Sequence, residues 1–309
     1  MAHIIIYFMA LLSLSTSPTW AKLNQMPPEV LGFWRLSMAA LLLFGYLTFK
    51  NRLKNPFKMP VGSSKSTPTQ LGPYIINRNV FWILISGFFF FLHLWTYKYA
   101  SKNTLVSNTM ILFATNPIFA SIGSLLFLKE KFKPRVGVAY VLALSGLALF
   151  LYRTLNFAPE QKWGNWSAVI SALFYAVYMI TGKKAREDFE NIDYAFLQYL
   201  TCAICFAITS LFTGGVFFEG YTAISWYSVI ALVLIPTLIG HLGLTYLVKF
   251  MDLSVLSCGK LVEPILASII AYFVFNEVVM DGAGLAFAMT AAGVFILFWP
   301  QIKSAQFQK

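Results

Sequence analysis

Lys260 and Glu263 stand three apart, with Pro264 next to them, inside an apolar run from Ser254 to Glu277. Near the middle of a hydrophobic helix each ionisable group costs at least ~2.5–3.5 kcal/mol unless it is paired or hydrated. Residues three apart share a helix face and can pair with each other. Two roles follow: a structural ion pair, or a pair lining a central cavity where it meets a polar or zwitterionic cargo or carries a coupling proton. Two histidines, His93 and His241, also fall inside apolar runs. An imidazole there can line a cavity or titrate in a proton-coupled cycle. Tyr97 follows His93 by one turn and shares its face, and Tyr246 follows His241, so both tyrosines are candidates for the same wall. Arg35 lies about a turn from the end of its apolar run. It either snorkels to the interface or serves as an anion contact or gate lock.

Other chemistries are excluded by spacing. No carboxylate or thiol lies within a turn of either histidine, so no metal site is expected. No nucleophile–base constellation is recognisable, and no Gly-x-x-x-x-Gly-Lys-Ser/Thr run exists for ATP. Cys202-x-x-Cys205 reads as two small residues one turn apart in a membrane helix rather than a redox pair. No cofactor is called for, and the chain is not expected to be an enzyme.

Such residues need long apolar helices to hold them. The chain is 58% hydrophobic and 11% charged, with a mean hydropathy of +0.69; an average globular chain carries about 25% charge. Apolar runs separated by short charged punctuation read as a polytopic helical membrane protein. The net charge of +11 does not imply nucleic acid, because Lys and Arg sit between the runs. Spans are expected at roughly 3–21, 29–49, 80–100, 105–128, 134–152, 164–183, 192–213, 225–248, 254–276 and 282–300. The first is read as a membrane helix and not a cleaved signal, since no Lys or Arg precedes it. The connection 50–79 is rich in Gly, Ser, Pro, Thr and Lys and reads as a flexible loop. Most Lys and Arg fall on one side if both termini are cytoplasmic, so an N-in, C-in topology is expected.

The chain also repeats itself. Pro117 precedes Glu130 by the same interval that separates Pro264 from Glu277. In that frame Asn116 matches Glu263 and Phe113 matches Lys260, which puts the charge on the second half alone. Gly137 and Gly146 match Gly284 and Gly293, and these small residues suit close helix contact. His93 and His241 correspond with one residue of slippage. An odd number of spans separates the copies, so the halves are expected to be inverted repeats, 1–155 and 160–303, a plan common among transporters. Pro117 and Pro264 free a carbonyl in each matched helix. The kink is either static packing or a gate.

Pro117…Leu128-Lys129-Glu130-Lys131, Val262-Glu263-Pro264…Asn276-Glu277 and the glycine pairs that follow resemble the EamA-type members of the drug/metabolite transporter superfamily. Arg35 in Gly32-Phe33-Trp34-Arg35-Leu36 resembles that family's second-helix arginine. Ser15-Thr16-Ser17-Pro18 departs from the Trp-Gly common in its first helix. The resemblance implies an all-α fold of ten transmembrane helices in two inverted five-helix repeats, moving small metabolites by alternating access. The expected activity is secondary transport or export of small polar metabolites, amino acids or related compounds, across a bacterial cytoplasmic membrane, with His93, Tyr97, Asn116, His241, Tyr246, Lys260 and Glu263 lining the path. Pro117, Pro264 and Arg35 would serve gating. The alternatives are a flippase for lipid or lipid-linked sugar and, further off, an intramembrane enzyme. The expected partners are a small-molecule substrate and membrane lipids, with no nucleic acid; monomer and homodimer both stay open.

Overall fold

The computed structural model describes residues 2–50, 78–130, 134–154, 159–276 and 283–306. Of the expected loop 50–79, residues 51–77 lie outside these residues, as do Glu277 and the end of the chain, while 78 and 79 already belong to a helix. The described residues are helical nearly throughout: α1 (Ala2–Leu23), α2 (Pro28–Phe49), α3 (Arg78–Asn103), α4 (Val106–Phe113, resuming as Asn116–Phe127), α5 (Pro134–Thr154), α6 (Lys162–Ala185), α7 (Asn191–Thr213), α8 (Ala223–Leu247), α9 (Leu253–Phe275) and α10 (Ala283–Gln306). Seven of them, α1, α2, α3, α6, α7, α8 and α9, are long and apolar enough to cross a membrane. Large apolar side chains such as Leu41, Phe127, Phe212 and Phe273 face outward. Polar groups, with Tyr7, Tyr175, Tyr178, Tyr194 and Tyr199, are buried. That inside-out distribution suits hydrocarbon outside and a polar interior.

Local chemistry sets the breaks. Pro28 opens α2, where a missing N–H goes unneeded. Gly214 ends α7 with φ +70°, in the left-handed region that favours glycine. Pro117 and Pro264 do not sit in unbroken helices: each stands in the first turn of a helix that restarts, at Asn116 and at Glu263. In α9 the join is a 3-10 turn, Lys260–Val262. Pro236 lies inside a π-helical stretch of α8, Val233–His241. Proline removes a backbone donor, and a widened turn is one way the chain absorbs that loss.

Packing joins α3 to α6 and α7, α2 to α7, α5 to α10, α4 to α6 and α9, and α1 to α8 and α9. Of the paired glycines, Gly293 makes the close approach expected of it. A Cβ there would fall 2.7 Å from the Ala139 carbonyl oxygen across the α5–α10 contact. Gly284 does not: nothing lies within 4 Å of its Cβ position.

Candidate functional site

The broken helix α9 builds the centre. Side chains three apart eclipse in a 3-10 turn, so the turn Lys260–Val262 stacks Lys260 beside Glu263. Nζ lies 3.6 Å from Oε1, with both residues buried. That is an ion pair, too long for a hydrogen bond, and Glu263 Oε1 accepts none. The ammonium sits 3.6 Å from the centroid of the Tyr175 ring and 5.2 Å from that of Phe113. Tyr7, from α1, buttresses this stretch by donating from its hydroxyl to the Leu256 carbonyl at 2.5 Å.

The histidines do meet. Their ring centroids are 6.4 Å apart, with Tyr175 and Phe90 packed against both. Ser171 on α6 fixes His93. Its hydroxyl donates to the His93 carbonyl at 3.0 Å and accepts from Nδ1 at 2.8 Å. The serine proton is thus spent on a carbonyl, so Nδ1 carries the ring's donor hydrogen. A Ser–His contact does exist, although no nucleophile–base constellation is recognisable in the sequence. It runs in the wrong sense for a nucleophile and its base, because the imidazole is the donor.

Tyr97 stands by His93 at 5.7 Å between rings and donates to Met110 Sδ. Asn116 donates to the Ala172 carbonyl at 3.0 Å. Asn116, Pro117, Phe113, Lys260, Glu263 and Pro264 line one void, with room for about one water. The central cavity expected from the sequence is therefore no larger than this in the present conformation. Arg35 does not snorkel. It is buried, and its Nε donates to Thr237 Oγ1 at 2.7 Å. Thr237 in turn donates to the Leu232 carbonyl five residues back, within the π stretch.

Tyr246 is a correction. It lies at the end of α8 against His3 and Phe250, away from the two histidines. Five α-helical residues turn by about 500°, which leaves it about 140° off the face of His241. Conversely, Tyr175, Ser171, Tyr178 and Thr237 belong to the centre, and none of them is among the residues expected to line the path. Lys98, near the end of the expected span 80–100, is buried as well, donating to the Ala21 and Asn24 carbonyls.

The centre is short of partners. Tyr175 Oη, Tyr178 Oη, His241 Nδ1, Asn116 Oδ1 and Glu263 Oε1 are buried without a hydrogen bond. Native interiors satisfy the large majority of such atoms. Among the described residues no group of three or more His, Cys, Asp or Glu is placed to hold a metal.

A polytopic helical membrane protein with a buried ion pair and several unsatisfied polar atoms beside it has the build of a solute carrier. The chain belongs to the EamA-like transporter family, whose sequence profile matches residues 1–152 and 162–299. It is 23% identical over 280 residues to an uncharacterized transporter of Archaeoglobus fulgidus, covering 89% of both chains. It is 25% identical over 282 residues to the uncharacterized transporter YdfC of Bacillus subtilis, covering 89% of this chain and 83% of that one. One crystal structure matches with a TM-score of 0.72 at 17% identity over 96% of each chain, which is a likeness of fold.

Proposed function

We propose that the chain is a secondary transporter of small polar organic compounds, amino acids or their relatives, working by alternating access through two inverted five-helix halves. The observation that carries the reading is the convergence of unpartnered buried polar atoms around the Lys260–Glu263 pair. Such atoms cost about 1–3 kcal/mol each when left unpaired, and a polar guest would offset that. The carboxylate and ammonium together suit a guest that carries both charges.

Several observations support the inverted halves. Positions matched in the repeat meet each other, as a twofold axis running between them requires. His93 faces His241, Lys260 lies over Phe113, and Asn116 and Glu263 line the same void. The matched helices α2 and α7, α4 and α9, and α5 and α10 pack together. The contact of α3 with α6 is mirrored by that of α8 with α1. The family profile also matches in two stretches that coincide with these halves. On the positive-inside argument both termini are cytoplasmic, and the family resemblance implies a bacterial cytoplasmic membrane.

The test is flux in proteoliposomes. A labelled amino-acid panel should show transport by the wild type, and Glu263→Gln and His93→Ala should abolish or reshape it while folded yield holds. Folded variants with unchanged flux would remove both residues from the path.

A further inference from the structure

A second void lies apart from the Lys260–Glu263 pair, between α1, α2, α3, α7 and α8. Arg35, Lys98, Tyr97 and Ser17 line it, with apolar walls that include Leu94 and Phe206. Both cations are buried, Arg35 at 5% and Lys98 at 3% exposure. Arg35 gives Nε to Thr237, and its Nη2 has no partner. Lys98 uses donors on the Ala21 and Asn24 carbonyls, which leave its charge unneutralised. No carboxylate among the described residues lines this void. The nearest acid in the sequence, Glu29, accepts from Thr213 at 3.1 Å and is not part of the lining. Two buried cations facing one small void without a counter-charge form an unbalanced arrangement.

We propose that this void is a binding site for the carboxylate group of a small organic acid. A guanidinium fork matches a carboxylate in plane and in donor spacing, and a neighbouring ammonium adds charge without demanding geometry. As it stands the void has room for about one or two waters, so an acid enters only as the walls part, and the smallest carboxylates are the ones that fit. The inference rests on these side chains and not on transport. A failed flux assay and a failed binding assay are therefore separate results.

The probes are sodium acetate, acetamide and sodium chloride, each added to the purified full chain in detergent micelles at matched ionic strength. The readout is the midpoint of thermal unfolding. A ligand that binds only the folded chain raises that midpoint by mass action. Acetate should raise it by a few degrees over chloride, and acetamide, the neutral isostere, should not. Arg35→Gln and Lys98→Met should each erase the acetate shift, and Arg35→Lys, which keeps the charge without the fork, should retain less than half. Lys98→Met or Arg35→Lys decides the matter if Arg35→Gln fails to fold. An acetate shift no larger than that of acetamide or chloride, or an undiminished shift in the folded variants, would overturn the site.

Discussion

Neutralising one partner of the central ion pair should damage the protein more than neutralising both, and the two single variants should differ. At 3.6 Å between Nζ and Oε1, the attraction is about 4.6 kcal/mol at an effective dielectric of about 20. Removing one member of a buried pair typically costs ~3–5 kcal/mol, because the other charge is left uncompensated. The two residues are not equally supported. Glu263→Gln leaves the ammonium above the Tyr175 face at 3.6 Å and near Phe113, a cation–π contact worth ~2 kcal/mol when desolvated. Lys260→Met leaves the carboxylate with no charged partner among the described residues. Lys260→Met should therefore be the more destabilised, by about 2 kcal/mol. The double variant should lie nearer the wild type than Lys260→Met does. Denaturant unfolding of all four proteins in one micelle system, followed by far-ultraviolet circular dichroism, gives the cycle. Additive losses, or a Glu263→Gln protein weaker than Lys260→Met, would refute the assignment of the pair and its aromatic support.

Two further outcomes test the framework around the site. Gly259→Val should lose several kcal/mol and much folded yield, because a Cβ at Gly259 meets the buried Tyr7 ring that braces α9. Gly45→Ala, with nothing within 4 Å of its Cβ position, should be neutral or slightly stabilising by the same unfolding assay. Glu130 accepts from Lys183 at 2.5 Å and from the Leu253 backbone N–H at 3.1 Å, while Lys183 also donates to the Met251 carbonyl at 2.9 Å. That ties α4 and α6 to the start of α9. Glu130→Gln should speed maleimide labelling of a Ser254→Cys reporter several-fold, and labelling at the unchanged rate would remove the tie as a closure.

Much of the centre was legible because charge in an apolar run is expensive and so marks its own position. Lys260 and Glu263 announced themselves this way, and a repeat frame of a single chain brought His93 to His241. What the sequence hid was register. Pro236 widens α8 into a π stretch, which presents Thr237 to Arg35. Tyr246 is a different case: five residues of ordinary α-helix separate it from His241, a spacing that already puts it off that face. Lys98 was missed for another reason. Its partners are main-chain carbonyls at Ala21 and Asn24, and a carbonyl leaves no signature in residue type. Ser171 was hidden likewise, as one of many serines in apolar helices until α6 packs it against His93.

The small voids bear on how the centre can work. The void beside the Lys260–Glu263 pair, with room for about one water, cannot hold a metabolite as it stands. The helices must part for a guest to enter, and their breaks lie where parting is cheapest. α4 and α9 are each interrupted just before the proline that opens their second segment, and helix hinges concentrate where backbone hydrogen bonds are already missing. Those breaks fall at Asn116 and Glu263, the two residues that share the void. In the transporter reading, the groups that would meet the guest are therefore carried on the hinges themselves, so occupying the site and moving the helix ends would be mechanically one event.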